Sequence, residues 1–458
     1  LKEVNENKMG VMPVKKLIVS MSFPMMISML VQALYNIVDS YFVGKFDPNY
    51  GVTALTIAFP LQNLMIAFAA GTGVGINALL SRSLGEKKFD RSNAAANTGL
   101  MLVLINYVIF FLLGTFLTKP YVYTQGKEAQ TISYACSYLQ IVMCLSLGLF
   151  FQVTLERLMQ ATGRTILSMI SQTIGAVSNI ILDYLMIFGV GPFPKMGIAG
   201  AAYATVIGQT IAAVVGLILN IKYNHDIKIS IKLVFSPKID VIRAIYFVGI
   251  PTIAMMSVGS VMTYVMNIIL GGIGGEAAMS VFGIYFRLQS FFFMPVFGLN
   301  NGIIPILAYN LGARKKDRID QALKFALALA ICIMMCGTIC FWLIPGPLME
   351  LFNAPLAVEK MGVIALRIIS LSFPLAAVGI ILSSVYQAFS ESIYSLLISL
   401  GRQLVVLCPA AYLLSLFGKV DYVWFAFVIA EMCAMVFSLK FFKKVYNKKV
   451  AVLSNKIN

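Results

Sequence analysis

Long apolar runs alternate with short polar breaks along this chain. Runs of about twenty residues or more cross a bilayer as helices. Twelve such runs predict helices at 17–43, 53–81, 94–117, 131–155, 166–188, 197–221, 244–270, 278–309, 321–344, 361–388, 393–416 and 421–442. An all-α polytopic membrane protein follows, because helices satisfy their own backbone groups inside lipid. The pattern also repeats. Residues 83–91 match residues 310–318 at an offset of 227, and the same offset aligns Pro24 with Pro251, Gly75 with Gly302, Leu61-Gln62 with Leu288-Gln289, and Gln160-Ala161 with Gln387-Ala388. Six helices per copy give both copies one orientation. The expected architecture is twelve transmembrane helices as two six-helix lobes, related by a pseudo-two-fold along the membrane normal, with a cavity between them. The expected division is an N-lobe at 1–222, a cytoplasmic inter-lobe loop at 223–243 and a C-lobe at 244–458.

Composition agrees with the pattern. Of 458 residues, 59% are hydrophobic and 12% charged, where a soluble domain carries about 25% charged residues. Mean hydropathy is +0.87. The net charge of +16 is unevenly placed. The odd-to-even loops carry six basic residues, Lys45, Lys119, Lys127, Lys195, Lys360 and Lys419, against 26 in the termini and the even-to-odd connections. That bias puts both termini in the cytoplasm, in a cell (inner) membrane. The charge therefore reflects topology rather than a nucleic-acid surface, and attraction to anionic headgroups is a minor consequence. Residues 1–16 are polar and basic, and the run after them is too long for a signal-peptide core, so they read as a cytoplasmic lead-in.

Enzymatic readings find little support. The one histidine, His225, lies in a loop, and no G-x-x-x-x-G-K-[ST] phosphate loop occurs. All seven cysteines fall in apolar runs, and Cys332, Cys336 and Cys340 share a helix face. Without a nearby His or acid they read as a compact packing face rather than a soft-metal site. No cofactor is expected. Gly71, Gly73 and Gly75 likewise read as a close-packing face, since no strand precedes them. Most of the 25 methionines are packing, and some could line an adaptable cavity.

The candidate chemistry lies in two acids. Asp39 and Asp183 sit deep in the first and fifth runs. A charge at that depth costs about 2.5–3.5 kcal/mol on insertion scales, which makes each a functional candidate. Tyr35 and Asn36 precede Asp39 by four and three residues, Asn179 precedes Asp183 by four, and Thr205 follows in the sixth run. Such oxygens make a site for Na⁺ or a pair of acids sharing a proton. At the repeat offset these acids become Met266 and Ala410, so the site belongs to the first lobe alone. In the second, Arg402 or Arg287 paired with Glu431 reads as a structural ion pair. Pro24 deprives the Ser20 carbonyl of its helical partner and predicts a bend in the first helix. Gln32, Tyr35, Asn36, Met266 and Arg287 are candidate cavity residues.

Jointly, these residues resemble the multidrug and toxic compound extrusion (MATE) family. The resemblance is carried by Pro24 and Asp39, the Ser-Leu-Gly segment at 83–85, residues 159–163, residues 179–183, and Gly200-Ala201-Ala202 leading to Thr205. It covers nearly the whole chain. It implies export of cationic, amphipathic small molecules in exchange for H⁺ or Na⁺, and a rocking motion of the two lobes in a monomer is the expectation that goes with it. It also implies a first-lobe cation site at Asp39, Asn179, Asp183 and Thr205, with the Ala201 carbonyl as a further ligand. Acids that some members use in the second lobe are missing here, where Met266 stands. Two other readings share the two-lobe plan or the membrane setting. A flippase for lipid-linked saccharides should need a cationic cavity for pyrophosphate, and a non-transporting membrane binding protein would show no flux.

Overall fold

A computed structural model describes residues 7–47, 50–125, 128–351 and 355–456. Lys2 and Lys127, both counted in the charge bias, lie outside the described residues. Among those described, the regular structure is entirely helical. Ten helices are long and apolar enough to span a membrane. Two further spans are each broken in the middle: Ala129–Cys144 with Leu147–Ala161, and Leu356–Ser370 with Phe373–Ala388, each pair bent by 50°. Counting each pair once gives the expected twelve. The second break lies just ahead of Pro374, in the first turn of the Phe373–Ala388 helix, while no proline stands at the first. Each is a short interruption around Leu145-Ser146 or Leu371-Ser372, so apolar pattern alone reads straight through it.

The repeat extends to backbone detail. Lys87 and Arg314, 227 residues apart, both adopt a left-handed φ of 57°. Gly163 and Ser390, at the same spacing, have φ of 85° and 58°. A non-glycine residue there is uncommon, so matched occurrences mark a turn geometry kept in both copies.

Contacts divide the chain differently from the 1–222, 223–243 and 244–458 scheme. Unit 1 comprises Leu1–Asn7 and Ile27–Ile253, and unit 2 comprises Lys8–Met26 and Ala254–Asn458. The division falls inside two helices, shortly after Pro24 and Pro251. The Val14–Phe46 helix runs through the buried Pro24 without a break. Its first part packs within unit 2 and the rest within unit 1.

In unit 1 the Gly51–Gly85 helix is the central element. Its glycines admit close neighbours, as their spacing suggests. A Cβ on Gly75 would collide with the Ile245 carbonyl, and one on Gly71 would lie 2.9 Å from the Gly249 oxygen. The stretch before Ile253 thus lies backbone to backbone on this helix. Phe68, Phe110 and Phe150 fill the adjoining core, with centroids 5.3 and 5.6 Å apart. The 223–243 connection is also fastened. The Asn93 and Asn97 side chains take the Lys228 N–H at 2.7 Å and the Ser230 N–H at 2.9 Å, and the Asn97 amide donates to the Lys228 carbonyl at 2.8 Å.

Unit 2 repeats the glycine device. A Cβ on Gly298 would lie 2.5 Å from the Met26 Cα, and one on Gly302 2.7 Å from the Ser22 Cα. Its core is a second aromatic cluster of Phe292, Phe293, Phe341 and Phe373. One expectation fails here. Cys332 and Cys336 are exposed, so the cysteine stripe is not a packing face. The Lys316–Leu343 helix packs instead through Ala322, Ala326, Ala330 and Gly337, whose small side chains let neighbours approach on the other side.

Candidate functional site

The site is built on the unit 1 part of the Val14–Phe46 helix and on the Thr165–Phe188 and Ile198–Tyr223 helices. The last two approach through glycine. A Cβ on Gly208 would lie 2.9 Å from the Asn179 Cβ, and one on Gly175 2.9 Å from the Gly208 carbonyl oxygen. Ser171 Oγ adds a bond to the Ala212 carbonyl at 2.7 Å. This closeness lets the short Asn179 side chain reach across to Thr205.

The Asn179 amide has two orientations, and its oxygen and nitrogen are nearly alike in shape. In one, the nitrogen donates to Thr205 Oγ1 at 3.4 Å. In the other, it donates to Asp183 Oδ2 at 3.2 Å while the oxygen accepts the Thr205 N–H at 3.0 Å. The second satisfies both ends and is the better arrangement. Asp183 is fully enclosed, and Asp39, Asn179, Thr205 and Ala201 are all buried. Asp39 Oδ1 and Asp183 Oδ1 are buried without a hydrogen-bond partner. The two carboxylates are close enough for their charges to act on one another, and Tyr35 and Tyr138 lie in the same field.

Buried carboxylate oxygens without partners are expensive. What relieves them is a cation or a proton. The donors on hand are carboxylate, amide and hydroxyl oxygens, which suit a hard monovalent ion. Among the described residues, no three His, Cys, Asp or Glu side chains gather to hold a metal.

The other candidates are placed differently. Tyr35 and Gln32 are half-buried on the Asp39 helix, and Gln32 Oε1 accepts from Gln172 Nε2 at 3.2 Å. Asn36 is exposed, and its carbonyl accepts the Ser40 hydroxyl at 2.9 Å. Three residues back along a helix turns a side chain about 60° from Asp39, which here carries it out of the cluster. In unit 2, Met266 is fully buried in packing and Arg287 is exposed.

Several polar residues near the site escaped the sequence reading. The Leu147–Ala161 helix runs past the predicted end at 155 and buries Glu156 and Arg157. Gln152 Nε2 donates to Glu156 Oε1 at 3.0 Å. Arg157 Nη1 donates to Gln160 Oε1 at 3.0 Å, and Gln160 Nε2 to Ser168 Oγ at 2.9 Å. Tyr138 accepts from Gln62 at 3.4 Å. The available signal was the polar spacing of Gln152, Glu156 and Gln160, one helical turn apart.

In unit 2, Arg402 is the partner of Glu431, and Arg287 is not. Arg402 Nη1 donates to Glu431 Oε1 at 2.7 Å. Arg402 lies in a wide helical turn, Gly401–Leu407, where the backbone follows π rather than α geometry. The two side chains are 29% and 14% exposed. Removing the cation alone should therefore cost less than the 3–5 kcal/mol of a fully buried pair, about 1–3 kcal/mol. Arg402→Ala should lower the melting temperature of the purified protein, and Arg402→Met combined with Glu431→Leu should recover most of the loss.

Comparisons with known proteins agree with this architecture. The family profile described as MatE matches residues 24–185 and 251–413, one copy in each half. The multidrug export protein MepA of Staphylococcus haemolyticus (strain JCSC1435) is 26% identical over 422 residues, 92% of each chain. MepA of Staphylococcus aureus (strain MRSA252) is 26% identical over 424 residues, again 92% of each. Among solved structures, the outward-facing conformation of a multidrug resistance MATE family transporter of the MOP superfamily aligns over 100% of both chains. Its TM-score is 0.91 at 24% identity, a likeness of fold.

Proposed function

Because this chain belongs to the MatE family of membrane transporters, we propose that it exports cationic, amphipathic small molecules from the cell in exchange for Na⁺ or H⁺. It moves solutes rather than transforming them. The similar MepA proteins are named multidrug export proteins, which supports drugs as the cargo class. The observation that carries the reading is the pair of buried carboxylates in unit 1. Asp39 and Asp183 each keep a partnerless oxygen, and Asn179 and Thr205 add neutral donors beside them.

In this mechanism the exchanged cation binds Asp39 and Asp183, with Asn179, Thr205 and the Ala201 carbonyl completing its shell. Cation binding lowers the affinity for drug, and drug binding lowers the affinity for cation by the same factor. Alternating access then follows from rocking of two six-helix lobes, with both termini cytoplasmic. A bend at Pro24 is one way for the state of Asp39 to reach the rest of its helix. The drive is about 1.4 kcal/mol per tenfold cation gradient. A further ~2.3 kcal/mol per 100 mV applies only to net charge moved. One monovalent drug for one cation moves no net charge, so the gradient term alone acts. A lipid-linked saccharide carries pyrophosphate, which two buried acids would repel.

The test is transport by purified protein in vesicles. An imposed Na⁺ or proton gradient should drive a fluorescent organic cation against its own gradient. Movement that ignores both gradients would refute the exchange.

A further inference from the structure

The repeat offers an internal control for one feature of unit 1. In unit 2, the cations after the Ala277–Gly312 helix are occupied by the chain itself. Lys315 Nζ donates to the Gly10 carbonyl at 2.9 Å, and Arg318 Nη2 donates to the carbonyls of Met9 at 3.0 Å and Met12 at 2.7 Å. The Met9 and Gly10 carbonyls end the short helix Lys8–Val11, where the helix dipole is negative, and Met12 follows it.

The equivalent positions in unit 1 are Lys88 and Arg91. Here no carbonyls arrive. The corresponding stretch of chain brings Lys238 and the start of a helix at Ile239, both electropositive. Lys88 is shared with Glu86 at 2.8 Å. Lys87, Arg91 and Lys238 make no side-chain hydrogen bond or ion pair among the described residues. Together these residues surround a cavity of about 540 Å³, into which Asp90 and Asp240 bring two opposing charges. Where unit 2 supplies its own oxygens, unit 1 leaves a cationic hollow.

Exposed apolar side chains on the same connection and helix starts identify the partner. Ile231, Phe235 and Ile239 are 79%, 69% and 65% exposed, and Phe89, which lines the cavity, is 46% exposed. They belong to the connection and helix starts between spans, where apolar side chains beside cations suit a lipid surface. The connection is held there by Asn93 and Asn97.

We propose that this cavity binds the phosphate of an anionic lipid headgroup, with the exposed Ile, Phe and adjoining side chains resting in the edge of the acyl layer. The volume is that of an ordinary ligand pocket. The site shares no residue with the Asp39 and Asp183 cluster and does not depend on what the protein exports.

The test is lipid retention by the full-length protein, measured by native mass spectrometry after exposure to equal dioleoyl phosphatidylglycerol and phosphatidylcholine. The wild type should retain the anionic lipid by about tenfold or more over the zwitterionic one. Combined Lys87→Gln, Arg91→Gln and Lys238→Gln should abolish the preference. Asp90→Asn with Asp240→Asn should increase it, and this variant decides the matter if the first fails to fold. Lys119→Gln with Lys360→Gln should leave it intact. An unchanged preference in the triple variant, no gain in the acid variant, or an equal loss in the Lys119 and Lys360 control would overturn the site. Complete displacement of the lipid by inorganic phosphate at equal concentration would overturn a lipid as its occupant.

Discussion

Cells expressing the Asp39→Asn variant are expected to lose export of organic cations while making a normally folded protein. The reason lies in the cost of the native carboxylate. Asp39 is buried and its Oδ1 has no hydrogen-bond partner. A group kept at such cost is explained by binding rather than by stability. Asparagine retains the shape, removes the charge and restores a donor. The variant should melt at the same temperature as the wild type or a few degrees above it. Asp183→Asn should behave alike, since Asn179 bridges Asp183 to the Thr205 backbone. With one-for-one exchange, the steady-state drug ratio follows the cation ratio, so uncoupling should remove that dependence. Fluorescent-cation accumulation in intact cells, beside the melting curve, checks both halves. Undiminished export would remove Asp39 from the mechanism, and loss of export together with loss of folding would assign it a structural role.

The second large effect concerns the glycine contacts. Gly75→Val and Gly302→Val should each destabilise the protein by about 1–3 kcal/mol or more. In both, the added Cβ meets backbone: the Ile245 carbonyl for Gly75, and the Ser22 Cα for Gly302. Backbone inside a packed helix cannot step aside as a flexible side chain can. Gly283 is the control. It lies within a helix with open space around its would-be Cβ, so Gly283→Ala should be neutral or slightly stabilising. Melting of the three purified variants decides it. Equal melting of all three would mean these contacts yield readily.

Much of this molecule was legible before its structure. Apolar runs and an offset of 227 disclosed the helices and the two copies, because lipid allows little else and a duplication leaves matched motifs. Asp39 and Asp183 stood out because acids are rare in such runs. The contact of Asn179 with Asp183 and Thr205 depended on Gly175 and Gly208, whose role only packing reveals. The first broken span was hidden, since Leu145 and Ser146 carry no strong breaking signal, whereas Pro374 stands just after the second break. Glu156 was hidden by a boundary placed one residue early. Asn36 is exposed where Asp39 is buried, because three residues along a helix turn a side chain about 60°. The crossing of contacts near Pro24 and Pro251 was also invisible, because it depends on which unit each half-helix packs in.

The most direct test of the coupling claim is equilibrium binding of one fluorescent organic cation to purified protein, across Na⁺ concentration and, separately, across pH. In the wild type, drug Kd should rise as the coupling cation fills the Asp39 pocket, with Na⁺ or with protons. In Asp39→Asn and Asp183→Asn it should stay flat along that same axis. A drug Kd that responds equally in the wild type and in both variants would contradict the assignment of coupling to this pocket.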